Sequence, residues 1–535
     1  MPDRELYFQE GIRYLPKVIE LCDRNRLSPA YGCFDRAYWH YRTSDFPSGM
    51  YQECVLPLAI AYQLEHAKNP FFKEDRLKEL VKAGIDFARR SSHRDGSCDD
   101  YFPYERATGA AAFSLYALTE SCLLLGINEP PNLEFFKRRA QYLAAEGYRE
   151  SGILSNHKAL IVLALFNVYL VTREERFKKL SQEKLNQLLK LQTNEGWFPE
   201  YEGADPGYLT FTVDFLAKYY LKSQDEKVVE PLKQAIRFSS FFMHPDGSYG
   251  GEYGSRNTFH FLPHGFELMG GQSPEAVSMC NLFLKAIQNG KRSYLEDDRI
   301  FVHFVYNFLQ AYSDFFVNRE EATRLKPVNF TQTFKEAGLI VKNKNDFYAV
   351  ISVTKGGVSK IFKGQELVWN DSGLLGETEQ GRKFTSQIMN GNHFQIDGDR
   401  VEVEGDCYEH QDVLLSPFKL VLFRCFLLLI GRFLPANVTR RMLQKKAILK
   451  SKKKFRLHFK KVFSFGHENF VELRLQLETP SLKVKELWIG TDPTFIYVAT
   501  SRPYQSGSLK EWIDLSTYLS DLNQGKEVSF RRSFA

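Results

Sequence analysis

The sequence is short of the signatures that mark most large enzyme classes. It has no Walker loop, no GxGxxG turn, no HExxH helix and no GxSxG elbow, so the common phosphate, dinucleotide, zinc-protease and serine-hydrolase readings lose their anchors. Its eight cysteines (Cys22, Cys33, Cys54, Cys98, Cys122, Cys280, Cys407 and Cys425) form no CxxC pair and no zinc-like spacing. They read as scattered, mostly buried thiols of a reducing compartment. The longest apolar run, Leu420 to Leu434, is broken by Arg424 and Arg432 and falls short of the roughly 20 residues of a spanning helix. Met1 to Leu21 carries charges inside its apolar stretch and lacks a small-residue cleavage site. No signal peptide is read there, and the expected location is cytoplasmic or peripheral at the inner membrane face. One stretch lacks acid altogether. Between Val413 and His467 there is no Asp or Glu against fourteen Lys and Arg, so the net charge of +6 is one basic segment on an otherwise acidic chain.

What remains is ordinary globular material, 43% hydrophobic and 25% charged over 535 residues, too long for one compact core. Aromatics are high at 14%, which suits clefts that stack sugar rings and suits packed helices equally. Over the first 320 or so residues a loop rich in Gly, Asp and aromatics recurs, each time followed by an apolar helix and then a charged one. Gly49, Gly96, Gly152, Gly196 and Gly247 mark these loops at steps of 44 to 56 residues, the length of two helices and two turns. The helices after the loops (Cys54–Leu64, Ala110–Leu125, Ala159–Val171, Leu209–Tyr220) are apolar all round and belong inside. Those completing each unit (Glu74–Arg90, Phe135–Glu146, Arg173–Gln192, Glu226–Phe242, Ser273–Gln288) are amphipathic and belong outside. A last apolar helix runs near Ile300–Val317. The alternation describes an α/α toroid, with an open solenoid as the competing arrangement.

From Phe334 the pattern becomes short β-rich runs separated by Gly, Asn and Asp turns, among them Phe347–Val353, Phe455–Phe463 and Phe495–Ala499. The expected fold class is therefore multidomain α and β. Residues 1–325 form an α/α toroid of about six helical hairpins, and residues 326–535 an antiparallel β-sandwich with a basic, apolar helical insertion near 417–454.

In a toroid the loops before the inner helices converge on one mouth, the default place for a ligand. These loops hold Trp39; Tyr101, Glu105 and Arg106; Asn156 and His157; Trp197, Tyr201, Asp205 and Tyr208; and Tyr253, Arg256, His264 and Glu267. Trp, Tyr, Arg and carboxylates together fit a carbohydrate cleft better than a nucleotide site. A toroid followed by a β domain, with Asn156–His157 opening an inner helix and an aromatic loop ending at Tyr208, resembles the heparinase II/III-like polysaccharide lyases. Alginate and oligoalginate lyases of the same architecture are similar. The resemblance implies β-elimination on a uronic-acid-containing glycan, so the expected partner is an acidic polysaccharide or oligosaccharide. It implies Asn156 as the group that neutralises the sugar carboxylate, helped by His157 or Arg256. Tyr208 is the implied base, acid or both, with Tyr253 second. A base Tyr needs a nearby cation, since a free phenol titrates near 10.

Simpler roles stand beside these: Ser155 or Asn156 as a helix N-cap, His157 as a core histidine, Tyr208 as packing for a helix start. The family's early metal-linked histidine strand has no counterpart, because Phe347–Val353 holds no His. No metal or other cofactor is expected. His393, ahead of the Asp397–Gly398 turn, is a second acid or base candidate in the β domain. Two rivals stay open. One is a glycoside hydrolase using paired carboxylates drawn from Asp45, Asp100, Glu105, Asp205 and Glu252; the other is a non-catalytic glycan-binding or assembly protein. The basic segment 417–461 reads as a contact with anionic membrane, as an extra polysaccharide site, or as a core helix with a solvated flank, the first being favoured. Nucleic acid is excluded for want of a recognition fold. The oligomeric state is left open.

Overall fold

The computed structural model describes residues 3–148, 154–201, 203–319, 329–389, 392–410, 416–434, 453–478, 482–492, 498–505 and 509–534. Its N-terminal part is helical: α1 (Glu5–Ile12), α2 (Leu15–Leu21), α3 (Arg36–Trp39), α4 (Val55–Gln63), α5 (Asp75–Ser91), α6 (Thr108–Leu125), α7 (Pro130–Tyr142), α8 (Ser155–Thr172), α9 (Glu175–Leu189), α10 (Pro206–Ser223), α11 (Val229–Ser240), α12 (Pro263–Leu268), α13 (Pro274–Gln288) and α14 (Val302–Ser313). Helices α4, α6, α8, α10, α12 and α14 pack each against the next, and α14 returns to α4. The ring is closed, so the toroid holds and the open solenoid does not. The N-terminal α1 lies against α14 and supplies an outer helix for the last inner one.

Composition explains which helix goes where. Helix α5 buries Leu77, Leu80, Val81, Gly84, Ile85 and Ala88 along one stripe, whereas α6 and α8 are apolar on every side. By length and apolarity the latter two could cross a membrane, but 83% and 72% of them are buried inside the toroid. The loop glycines have a stereochemical reason for their spacing. Gly96 and Gly247 sit at φ +87° and +81°, and a Cβ on either would come within 2.4 Å of the backbone of a later outer helix, at Arg139 and Leu282. Gly196 meets Gln234 in the same way. The first member of this series is Gly32, which abuts Ala83; Gly49 instead opens a short 3-10 turn against Cys98. Gly152 lies outside the described residues.

The helical part ends at Ser313 and the first strand begins at Phe330; the boundary expected at 325/326 falls outside the described residues. Strands β1 (Phe330–Phe334), β2 (Leu339–Lys344), β3 (Phe347–Ser352), β4 (Val358–Lys363) and β5 (Glu366–Asp371) form an antiparallel meander. Its alternate residues point to two different cores. Leu339, Val341, Tyr348 and Val350 join the toroid, while Ile340, Phe347, Ala349 and Ile351 face the second sheet. That explains why β3 (FYAVIS) is a continuous apolar run with every residue buried. The second antiparallel sheet comprises β6 (Leu374–Thr378), β7 (Lys383–Thr385), β8 (His393–Asp397), β9 (Arg400–His410), β10 (Lys454–Phe465), β11 (Asn469–Leu477), β12 (Val484–Ile489), β13 (Ile513–Asp514) and β14 (Val528–Ser533). The fold is thus three layers: toroid, inner sheet, outer sheet. A buried ion pair, Lys461 Nζ to Asp371 Oδ2 at 2.6 Å, ties the two sheets.

The insertion enters between β9 and β10, which are sheet neighbours. Its helix α15 spans Pro417–Leu429; residues 435–452, with much of the basic charge, lie outside the described residues. Of the strand expected at Phe495–Ala499, residues 495–497 are likewise outside, and Ala499 opens a 3-10 turn instead.

Candidate functional site

The inner helices all begin at the mouth except α12, which starts deeper: Gly265 abuts Asp214, eight residues into α10. The mouth gathers Asn156, His157, Tyr201, Asp205, Tyr208 and Arg256 from the expected set. Trp39, Tyr253, His264, Glu267 and His393 lie elsewhere.

Asn156 is the second residue of α8, whose N-cap position is Leu154 with no side-chain cap. The missing cap comes from the next loop. Glu200 Oε1 accepts the Asn156 backbone N–H at 2.7 Å and Oε2 accepts Asn156 Nδ2, also at 2.7 Å. Neither Ser155 nor Asn156 is the N-cap; Ser155 Oγ donates to the Pro199 carbonyl at 2.7 Å. In this orientation Asn156 Nδ2 faces Glu200, and the buried Asn156 Oδ1 is left without a partner. Glu200 is fully buried, and burial pushes its carboxyl up to about 8, with Asp205 adding to the rise; the Asn156 bonds and the nearby Arg256 oppose it.

Asp205 caps α10. Its Oδ1 accepts from Tyr208 N at 3.0 Å and from the Thr258 hydroxyl, and its Oδ2 accepts Arg256 N at 2.7 Å. Burial raises its carboxyl. Arg256 in turn lays its guanidinium on the Tyr201 ring, 3.5 Å from the centroid. Behind this loop Lys355, from the turn between β3 and β4, donates to the Glu252 and Gly254 carbonyls at 2.8 and 2.5 Å and to Asn257 Oδ1 at 2.5 Å. Three oxygens hold this amine in place, and burial lowers its pKa from the ordinary lysine value while Asp205 opposes the fall.

Tyr208 is half-buried, with its hydroxyl accepting from Thr500 Oγ1 at 3.1 Å; Ser501 Oγ donates to the Arg256 carbonyl at 2.8 Å. A segment of the β domain therefore reaches over the mouth. The surroundings are dense enough that burial pushes the Tyr208 phenol well above its ordinary value, with Glu200 and Tyr201 adding to the rise. Its ring stands edge-on to His260, centroids 5.4 Å apart. His260 is buried with neither ring nitrogen in a full hydrogen bond, and burial, reinforced by His303, pushes it down to about 3. Phe113 and Phe211 link His260 to His303 and to the partly exposed His157, and His303 Nδ1 meets Glu53 Oε1 at 2.8 Å. The floor is thus three imidazoles around two phenylalanines.

The other expected residues have structural partners. Trp39 donates to the Leu21 carbonyl at 2.9 Å beside Phe87, on the outer wall. Trp197 is buried, donates to Glu195 and packs on Phe238. Glu105 accepts the Tyr101 and Phe102 amides, Arg106 pairs with Asp95 at 3.4 Å, and Tyr101 lies under Arg299 on the rim. Tyr253 is buried between toroid and inner sheet, its hydroxyl 3.0 Å from His244 Nε2. His264 pairs with Asp314 at 2.8 Å, and Glu267 accepts from Tyr7 and pairs with Arg319, both away from the mouth. His393 is exposed on β8, opposite Glu404 of β9. Sequence reasoning did not single out His303, Glu53 or Thr500, and it counted Glu200 and His260 among the polar residues of the mouth loops without choosing them for the site. Among the described residues no cluster of three or more His, Cys, Asp and Glu is arranged to hold a metal ion.

An α/α toroid closed on a β-sandwich, with a polar site at the helix N-termini, is a polysaccharide-lyase-like fold. A solved structure shares the fold. A xanthan lyase from Paenibacillus superposes with a TM-score of 0.51 at 11% identity, over 91% of this chain and 46% of that one, so the chain spans about half the length of that enzyme. A chondroitin AC lyase from Streptomyces coelicolor gives 0.48 at 11% identity over 91% and 70% of the two chains. An unsaturated glucuronyl hydrolase from Streptococcus agalactiae gives 0.40 at 14% over 59% and 92%. At these identities the likeness is one of fold. No protein-family model matches the chain. No curated protein matches it by sequence.

Proposed function

We propose that the protein is a glycan-processing enzyme that cleaves an acidic, uronate-containing polysaccharide or oligosaccharide by β-elimination at the toroid mouth. The observation that carries the reading is the Asn156–Glu200 pair beside Tyr208: a carboxamide held by Glu200 through one Nδ2 hydrogen, with the second Nδ2 hydrogen to donate, next to a phenol that stays protonated. Elimination needs the sugar carboxylate neutralised as charge moves onto it, a base for the adjacent C–H proton, and an acid for the departing glycosidic oxygen. Asn156, with the Arg256 charge behind it, takes the carboxylate. His157, the partly exposed imidazole of the floor, takes the proton. Tyr208, whose raised phenol argues against the base role, protonates the leaving oxygen. The proton lost from carbon and the one gained by oxygen balance, and the product carries a double bond conjugated with the carboxylate.

A hydrolase is the second reading, and one observation favours it. Glu200 is a carboxyl held protonated near neutrality beside a second buried carboxyl, Asp205, the property a general acid requires. Asp205 is committed to capping α10, which argues for elimination. Digestion of uronate glycans in oxygen-18 water tests the two. Elimination leaves unlabelled products lighter by one water, while hydrolysis places a solvent oxygen on the new reducing end.

A further inference from the structure

The insertion carries a surface that neither domain covers. Helix α15 starts under a Ser416 cap and Pro417, and one of its faces lies on the toroid rim. Phe423 meets Phe102 edge-on at 5.0 Å, Arg424 pairs with Asp45 and sits over Phe46, and Leu427 is fully buried. The opposite face is apolar and open. Phe418, Val421, Leu422 and Leu429 form a stripe at helical spacing, 54 to 72% exposed, and Phe433 continues it at 73%. Apolar side chains on this scale mark a surface that something else covers.

Charge says what. Lys419 and Arg432 are exposed beside the stripe, and Arg440, Arg441, Lys445, Lys446, Lys450 and Lys452 follow in sequence with no acidic residue among them. A second copy docked across a two-fold axis would set two such basic segments against each other. An anionic lipid surface takes both features at once, acyl chains receiving the stripe and headgroups the cations.

We propose that α15 is an interfacial anchor that lies in the plane of an anionic lipid surface and holds the rim of the toroid mouth against it. Thirteen residues span about 20 Å, against roughly 30 Å of hydrocarbon, so the helix lies on the bilayer rather than across it. Its inner face grips the loops at Asp45–Phe46 and Phe102, so docking sets the mouth beside the membrane, where a surface-bound glycan would reach it. The inference is independent of the reaction performed there.

The test is co-sedimentation of the full chain with phosphatidylcholine vesicles, with and without phosphatidylglycerol. It is run beside a Phe418→Ser/Leu422→Ser/Leu429→Ser triple variant and a Lys419→Gln/Arg432→Gln double variant. Binding to the anionic vesicles, weakened at least about tenfold in the triple variant by the lost apolar burial and weakened again by salt, is the expected result. Melting of the triple variant should change little, because these side chains are 54 to 72% exposed and belong to none of the hydrophobic cores. Equal binding by parent and triple variant would reduce the contact to charge alone and overturn the proposal. So would absence of binding to either vesicle. A dimer in analytical ultracentrifugation that the triple variant dissolves would assign the stripe to a second copy instead.

Discussion

Replacing Glu200 with Gln isolates the electrostatics of the site in one measurable quantity. The carboxyl is fully buried and stands at about 8 against an ordinary 4.5. Below pH 4.5 both the folded and unfolded chains carry the proton and the group costs nothing. Between 4.5 and about 8 the unfolded chain releases it while the folded chain keeps it, so stability falls as pH rises; above 8 the loss is complete. At 1.36 kcal/mol for each tenfold step, the whole interval amounts to at most about 5 kcal/mol. Gln has no proton to lose. Its Oε1 can still accept the Asn156 N–H, and its NH2 meets Asn156 Nδ2, so the Asn156 amide must turn over to present Oδ1; a failure to turn would cost about 1–3 kcal/mol at every pH. Urea unfolding of parent and Glu200→Gln at pH 4, 6 and 9 reads the difference. The variant should gain on the parent by several kcal/mol from pH 4 to pH 9, while losing activity through the turned amide. Parallel pH profiles for the two proteins would refute the assignment of a buried, protonated Glu200.

Other predictions follow from neighbouring groups. Tyr208→Phe should abolish turnover with melting shifted only slightly, since it removes one hydrogen bond to Thr500; unchanged turnover would remove Tyr208 from the chemistry. His260, held near 3, should stay neutral in the folded protein down to about pH 4 by NMR titration of its ring. With its folded value depressed, it costs stability as pH falls below 6.5, and a ring titrating near 6.5 would contradict the buried floor. Lys461→Met should destabilise by about 3–5 kcal/mol, because it strands Asp371 as a lone charge between the two sheets. A loss under about 1 kcal/mol in denaturant would show that water reaches the pair.

The toroid was legible because its physics is local and repeated. Gly32, Gly96, Gly196 and Gly247 each pass the backbone of a later outer helix, and inner helices such as α6 and α8 are apolar all round; both facts leave a period in the sequence. Gly49 misled as an anchor because composition cannot tell a glycine pressed on a helix backbone from one opening a 3-10 turn; Gly32 has the former role. The inner sheet was visible as unbroken apolar runs, although which face met which core was not. The mouth was legible as a place but only partly as a set of contacts. Asn156 and Tyr208 stood out at helix starts. Their partners, however, come from afar: Glu200 caps a helix 44 residues upstream, and Thr500 reaches Tyr208 across 292 residues. His264 and Glu267 looked like mouth residues from their loop, yet the late start of α12 carries them away from the mouth. Trp39 and Tyr253 show the limit of reading aromatics as sugar platforms, since each is used for packing.

The proposed elimination at Asn156 and Tyr208 is read by ultraviolet absorbance of uronate glycans during incubation with the protein. The expected result is a rising signal from the conjugated double bond, lost in Asn156→Ala and in Tyr208→Phe. Release of new reducing ends with a flat absorbance would contradict it and move the chemistry to hydrolysis.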